Sequence, residues 1–196
     1  MMLRLKDVLS ARTPQLITGT TRIPSAVLIP IFENDNGHCV VFTERTHRVS
    51  THKGQISFPG GRLDKGDASL LEAALRECEE EIGIARSQVD VLGRLDDCLT
   101  FVSNYIITPF VGAIPWPHHF DLNEIETASI IEAPVSDLID PRCLAEGSEI
   151  VDGRILPAYF YDHDGKVIWG ATARILKQFL EIWQAAAHSA VTEGTR

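Results

Sequence analysis

The chain has no excess of positive charge, no closely spaced cysteines, no long apolar run and no internal repeat. Each absence removes a class. Lys and Arg number 18 against 27 Asp and Glu, a net charge of −9. Backbone recognition of nucleic acid needs clustered Lys and Arg, so no nucleic-acid partner is expected. If such a chain binds an anionic substrate, cations must screen the repulsion. Cys39, Cys78, Cys98 and Cys143 form no CxxC pair. That spacing argues for reduced thiols in a cytoplasmic protein and against a zinc cluster or a disulfide framework. The best apolar stretch, Ala26–Phe32, contains Pro30 and is far short of the ~20 residues that span a bilayer, so no membrane partner is expected. The opening MMLRLKDVLS carries Arg4, Lys6 and Asp7 where a signal peptide needs an apolar segment.

What is present is a chain of 196 residues, 44% hydrophobic, enough for one domain with a sizeable core. Residues 3–11 suit a short helix, and Pro14, Gly19 and Pro24 mark an irregular lead-in. Val27–Phe32 and Cys39–Arg45 read as strands joined at the Asn34-Asp35-Asn36-Gly37 turn. Gln55–Phe58 reads as a short strand running into Pro59-Gly60-Gly61. The clearest helix covers Ser69–Ile82, capped by Ser69 or Asp67 and closed by Gly83. Strands are expected at Val89–Leu95, Tyr105–Ile114, Thr127–Glu132, Leu156–Tyr161 and Lys166–Trp169, with a helical turn at Pro134–Leu138 and a last helix over Ala171–Ala187. Trp116–Asn123, which includes His118 and His119, reads as a loop. Without a regular βαβ alternation, the pattern favours an α+β or α/β sandwich with a mixed sheet.

The central helix carries the chemistry. On a helical wheel Leu71, Leu75, Cys78 and Ile82 share one face, which should meet the core. Glu77, Glu80 and Glu81, spaced i, i+3 and i+4, share another arc facing away from the core, with Ala73 and Ala74 one turn earlier leaving room for a ligand. Glu79 points elsewhere. Each like-charged i, i+4 pair costs a helix roughly 0.2–0.5 kcal/mol. Arg76 is the cation nearest in sequence. A divalent metal would convert the repulsion into coordination, and an all-oxygen donor set suits Mg²⁺ or Mn²⁺. The bland alternative is a solvated acidic helix face. Against it stands the preceding loop, where Gly60 and Gly61 permit close approach of a ligand to the backbone.

The stretch Gly60-Gly61-Arg62-Leu63-Asp64-Lys65-Gly66-Asp67, followed by Arg76-Glu77-Cys78-Glu79-Glu80-Glu81-Ile82-Gly83-Ile84, resembles the Nudix box. Its second half matches without a gap. In the first half an Asp stands at the acidic position, and eight residues rather than seven separate it from Arg76. The longer spacing resembles the coenzyme A pyrophosphatase-like branch. So do Phe42-Thr43-Glu44-Arg45, Thr51-His52-Lys53-Gly54-Gln55-Ile56-Ser57-Phe58-Pro59-Gly60-Gly61, Leu95-Asp96-Asp97, Thr108-Pro109 and Ile168-Trp169-Gly170-Ala171-Thr172-Ala173-Arg174. Ser50 departs from the branch, where Arg is common, and removes one expected phosphate contact.

The resemblance implies an α/β/α sandwich over residues 25–188, with 1–24 as an N-terminal extension and 189–196 as a flexible tail. It implies Glu77 and Glu81 as metal ligands, and Glu80 as a third ligand or the group that positions water. Arg76 would orient these carboxylates without touching substrate, and a main-chain carbonyl at Gly60 or Gly61 would add a donor. Glu126 is the expected catalytic base, with Glu124 as the alternative. Arg45 and His52 are expected phosphate contacts. Phe58 and Trp169 are either core or lining for an adenine or pantetheine group. The implied reaction is hydrolysis of a pyrophosphate linkage in coenzyme A or a derivative, giving 3′,5′-ADP and 4′-phosphopantetheine. Alternatives are another nucleoside diphosphate derivative (a sugar conjugate, a dinucleotide polyphosphate or a triphosphate), or a catalytically silent ligand-sensing domain. The sequence does not set the oligomeric state; a homodimer is compatible with it.

Overall fold

The structure is a computed structural model that describes residues 1–46, 54–101, 103–151 and 154–193. Thr51, His52, Lys53 and Ser50 lie outside them. The elements are α1 (Met2–Ala11), β1 (Ile23–Asn34), β2 (Gly37–Arg45), β3 (Ile56–Ser57), β4 (Gly60–Arg62), α2 (Leu70–Ile82), β5 (Asp90–Arg94), β6 (Cys98–Leu99) and β7 (Tyr105–Ala113). They continue with β8 (Thr127–Pro134), α3 (Val135–Ile139), β9 (Leu144–Val151), β10 (Arg154–His163), β11 (Lys166–Ile168) and α4 (Gly170–Glu193).

A mixed sheet forms the middle layer. β1 and β7 run parallel along Ile23–Ile31, while the other pairings are antiparallel. β1 and β2 form the expected hairpin, closing at Asn34 opposite Gly37. Towards their other ends the two strands part. The continuous β3–β4 segment fills the gap, with β3 bonded to β2 and β4 to β1.

Alternation along the strands sorts side chains to two layers. Ala26, Leu28, Phe32, Cys39 and Val41 face α2, and Ile29, Ile31, Val40 and Phe42 face α1 and α4. The result is an α/β/α sandwich. A second sheet, β9–β10–β11, packs against α4.

Three features add to the expectations. Within the segment expected as an N-terminal extension, α1 docks through Leu5 and Leu9 into the core shared with α4. The last helix runs on to Glu193, into the segment expected as a flexible tail. β9 is an additional strand. Among the described residues no helix is long and apolar enough to cross a membrane.

Candidate active site

Ser69 caps α2, its hydroxyl oxygen accepting from the Glu72 amide at 3.2 Å, and Gly83 ends the helix in the left-handed conformation. Ala73 and Ala74 are fully buried with Ala26 of β1. They therefore bring the helix close to the sheet and do not leave open space for a ligand. Gly61 serves the same approach: a Cβ there would run into the Glu77 carboxylate.

The helix carboxylates separate into two groups. Arg76 gathers the first. All five of its N–H donors are used: Nε and Nη2 reach Asp67 at 3.0 Å each, Nη2 reaches the Arg62 carbonyl at 3.1 Å, and Nη1 reaches Glu77 at 3.0 Å and Glu80 at 3.1 Å. These bonds, led by the one to Asp67, raise the Arg76 pKa, and Arg76 in turn holds Asp67 below its ordinary value. Asp67 is thus a brace for Arg76 and not the helix cap. Glu80 lies on the outer side of this cluster and is half exposed. Glu79 turns away to Arg86, which also meets Glu72.

Glu81 stands apart. Its helix position looked solvent-facing on the wheel, yet it is 5% exposed, set against Arg45 of β2 and the Gly60 amide of β4. Arg45, at the end of β2, approaches Glu81 at 3.8 Å and Glu126 at 3.9 Å. Burial pushes Glu81 up to about 8. Arg45 opposes that rise, Glu77 and Glu126 add to it, and the Gly60 amide favours the ionised form. Glu77 is also raised by burial, against the pull of Arg76. Glu81 Oε2 is buried with no hydrogen-bond partner.

The ladder decides between the two glycines. Leu28 donates to the Pro59 carbonyl and Leu63 to the Pro24 carbonyl, so Ala26·Gly61 falls in the bonded register. The Gly61 carbonyl faces β1 in this register. Gly60 sits in the non-bonded register, with its amide and carbonyl turned away from β1 and its amide donating to Glu81.

Glu126 reaches this place because its turn is tied at several points. Thr46 bonds the Ile125 carbonyl through its hydroxyl at 2.7 Å and the Glu126 carbonyl through its amide at 2.8 Å, and the Asn123 amide meets the Glu81 carbonyl at 3.3 Å. Glu126, rather than Glu124, faces Arg45. Phe58 is core, 2% exposed and stacked on Phe42, whereas Trp169 is half exposed. His118 packs among the rings of Phe32, Trp116 and Phe120.

Among the described residues no three acidic, histidine or cysteine side chains converge as a ready-made cage. Glu77 is drawn to Arg76 and Glu81 towards Arg45, as like charges separate when only arginines balance them. The orphaned Glu81 oxygen, the Gly60 backbone and nearby Glu77 are hard oxygen donors in one niche, and they fit a divalent cation.

The NUDIX domain profile matches residues 22–146. The chain belongs to the Nudix family. Its relatives include the uncharacterized Nudix hydrolase NudL of Citrobacter koseri, 36% identical over 169 residues, covering 83% of this chain and 84% of that one. NudL of Yersinia pestis is 36% identical over 166 residues, covering 83% and 81%. Among solved structures, a MutT/nudix family protein from Enterococcus faecalis superposes with a TM-score of 0.57 at 11% identity, covering 87% of this chain and 65% of that one. A Nudix hydrolase from M. smegmatis gives 0.51 at 20% identity over 61% and 74%. The protein is a Nudix pyrophosphohydrolase, acting on a pyrophosphate bond in a small molecule, and enzymes of this family use divalent metal.

Proposed function

We propose that this Nudix enzyme hydrolyses the diphosphate of coenzyme A or its derivatives with Mg²⁺ or Mn²⁺, giving 3′,5′-ADP and 4′-phosphopantetheine. The observation that carries the site assignment is the buried, unpartnered Oε2 of Glu81 between Gly60 and Arg45. A carboxylate so placed either keeps a proton or meets a cation. The substrate assignment is supported by the resemblance of residues 42–61 to the coenzyme A pyrophosphatase-like branch, a segment that ends at this niche.

Diphosphates resist water because their oxygens repel the nucleophile. A divalent cation neutralises that charge and lowers the pKa of bound water. Glu81 and Glu77, with the Gly60 carbonyl, would hold it. Glu80 lies at the rim, suited to a second cation or to positioning water. Arg76 is a positioning residue, since every donor it has is committed within the protein. Arg45 bridges Glu81 and Glu126 before substrate arrives and then offers its charge to a phosphate. Glu126 is close enough to the niche to affect Glu77 and Glu81, and it acts as the base.

The test is mass analysis of products from coenzyme A, NDP-sugars, dinucleotide polyphosphates and nucleoside triphosphates with each metal. Release of 3′,5′-ADP from coenzyme A at the highest kcat/KM is expected. Preference for another member by tenfold or more overturns the substrate assignment, and binding without turnover of any member favours the silent sensor.

A further inference from the structure

A cavity of about 760 Å³ lies on the α4 face of the sheet, opposite the face that carries the α2 carboxylates. Cavities of this size commonly hold a small molecule. Nothing in the hydrolytic mechanism uses it. Ile17, Phe101, Leu156 and Ile175 supply apolar walls, and Arg22, Asp96, Asp97 and Arg174 are its charged lining.

These charges do not cancel. The four aspartate oxygens are all bonded already. Asp96 Oδ1 accepts from Arg12 and from the Gln15 amide, at 2.9 Å each, and Oδ2 accepts from Gln178 at 3.0 Å. Asp97 Oδ1 accepts from Arg94 and from the Thr108 hydroxyl, at 2.7 Å each, and Oδ2 accepts from the Ile17 amide at 2.9 Å. Arg12 and Arg94 stand outside the lining and balance the two aspartates. Glu149 balances Arg174 at 3.1 Å, and that guanidinium lies 4.1 Å over the Phe101 ring. Arg22 is left over. It is partly buried and has no acidic partner among the described residues. Its hydrogen bond runs from Nη1 to the Thr100 carbonyl. A guanidinium carries five N–H donors, so most of this one is open to a ligand.

The surplus charge and the walls together select the ligand class. A planar guanidinium fork suits a carboxylate or a phosphate. A phosphate monoester would bring close to two negative charges beside Asp96 and Asp97, whereas a carboxylate brings the single charge that Arg22 lacks. The cube root of the volume is about 9 Å, the reach of roughly eight bonds of extended chain at about 1.1–1.2 Å per bond.

We infer that this cavity binds a small monocarboxylate with an apolar body, its carboxylate on Arg22 and its hydrocarbon against Phe101, Leu156 and Ile175. The ligand lies across the sheet from Glu81 and does not compete for the hydrolytic niche. The inference is independent of which diphosphate the enzyme cleaves.

Octanoate is the probe, with octan-1-ol as the neutral control and octyl phosphate as the phosphate control. Each is titrated into the wild-type protein while backbone amide resonances are followed. Octanoate should saturate with a Kd of about 1 mM or below, shift Leu99, Phe101, Leu156 and Ile175, and bind at least tenfold tighter than octan-1-ol and tighter than octyl phosphate. Arg22→Gln should weaken octanoate tenfold or more and leave octan-1-ol within twofold, and Arg22→Lys should restore part of the difference. Leu156→Trp, which fills the cavity, should abolish binding of both. Octan-1-ol binding as tightly as octanoate, an Arg22→Gln Kd within twofold of wild type, or shifts that bypass the four residues overturns the site. Tighter binding of octyl phosphate overturns the carboxylate assignment. Coenzyme A hydrolysis, read from its products, stands or falls separately from all of these.

Discussion

Two acids in this molecule are equally hidden and differently kept. The side chains of Asp97 and Glu81 are each 6% exposed. Asp97 accepts from Arg94 at 2.7 Å, from the Thr108 hydroxyl at 2.7 Å and from the Ile17 amide at 2.9 Å. Glu81 has Arg45 at 3.8 Å and an oxygen with no partner. Burial of a charge is tolerated when hydrogen bonds replace water, as at Asp97. At Glu81 the replacement is left undone, and the missing partner is what a cation would supply. One carboxylate ties the lead-in to the sheet; the other is held ready for chemistry.

Replacing each acid by a neutral residue should separate the two roles. Glu81→Gln is expected to lower kcat by about a thousandfold or more, equivalent to about 4 kcal/mol, while the melting temperature holds or rises because a buried charge has gone. Near-full activity at saturating Mg²⁺ would remove Glu81 from the site. Asp97→Ala should do the reverse. Stranding Arg94, Thr108 and the Ile17 amide should cost about 2–3 kcal/mol, roughly 5–10 °C in melting temperature, with activity per folded molecule retained. Denaturant melts paired with active-site titration read both quantities.

The sequence makes much of this visible, but not the contrast itself. Short apolar runs either side of an Asn-Asp-Asn-Gly turn mark β1 and β2, and the wheel finds the carboxylate helix. The wheel cannot show that Glu81 would be buried, since that depends on the ends of β2 and β4, which bring Arg45 and Gly60 against it. Arg45 lies 36 positions before Glu81, and only the fold makes them neighbours. Asp67 reads equally as cap or brace until Arg76 is seen to engage both its oxygens. β9, Leu-Ala-Glu-Gly-Ser-Glu-Ile-Val, has neither alternation nor strong strand formers in its centre, and pairing with β10 makes it a strand. α1 is legible as a helix, while its docking through Leu5 and Leu9 depends on contacts remote in sequence.

Acidity sharpens the comparison further. Burial lifts Glu81 from 4.5 to about 8 in the metal-free protein. The folded state then keeps a proton that the unfolded chain has already released. That contribution to stability is complete below about 4.5 and is lost as pH climbs towards 8. Glu77, also raised by burial, acts in the same direction. The metal-free melting temperature should therefore fall by several degrees between pH 5 and pH 8, with a smaller fall in Glu81→Gln. Added Mn²⁺ should flatten the wild-type slope, since the cation binds the ionised form. A wild-type slope no steeper than that of Glu81→Gln would show that Glu81 is already ionised, with Arg45 sufficient as its partner.

The smallest effect is expected at the edge of the niche. Glu126 is half exposed and reaches the cluster through Arg45, whereas Glu124 is fully at the surface. A base acting on a metal-activated water contributes typically a hundredfold or more. Glu126→Gln should therefore lower kcat by about 100-fold, less than Glu81→Gln, and should move the acidic limb of the kcat profile. Glu124→Gln should leave both within about twofold. If the two substitutions weaken kcat equally and neither moves the limb, their effect is only on the charge around Arg45. The base would then be sought among Glu77 and Glu80, whose carboxylates Arg76 already holds in position.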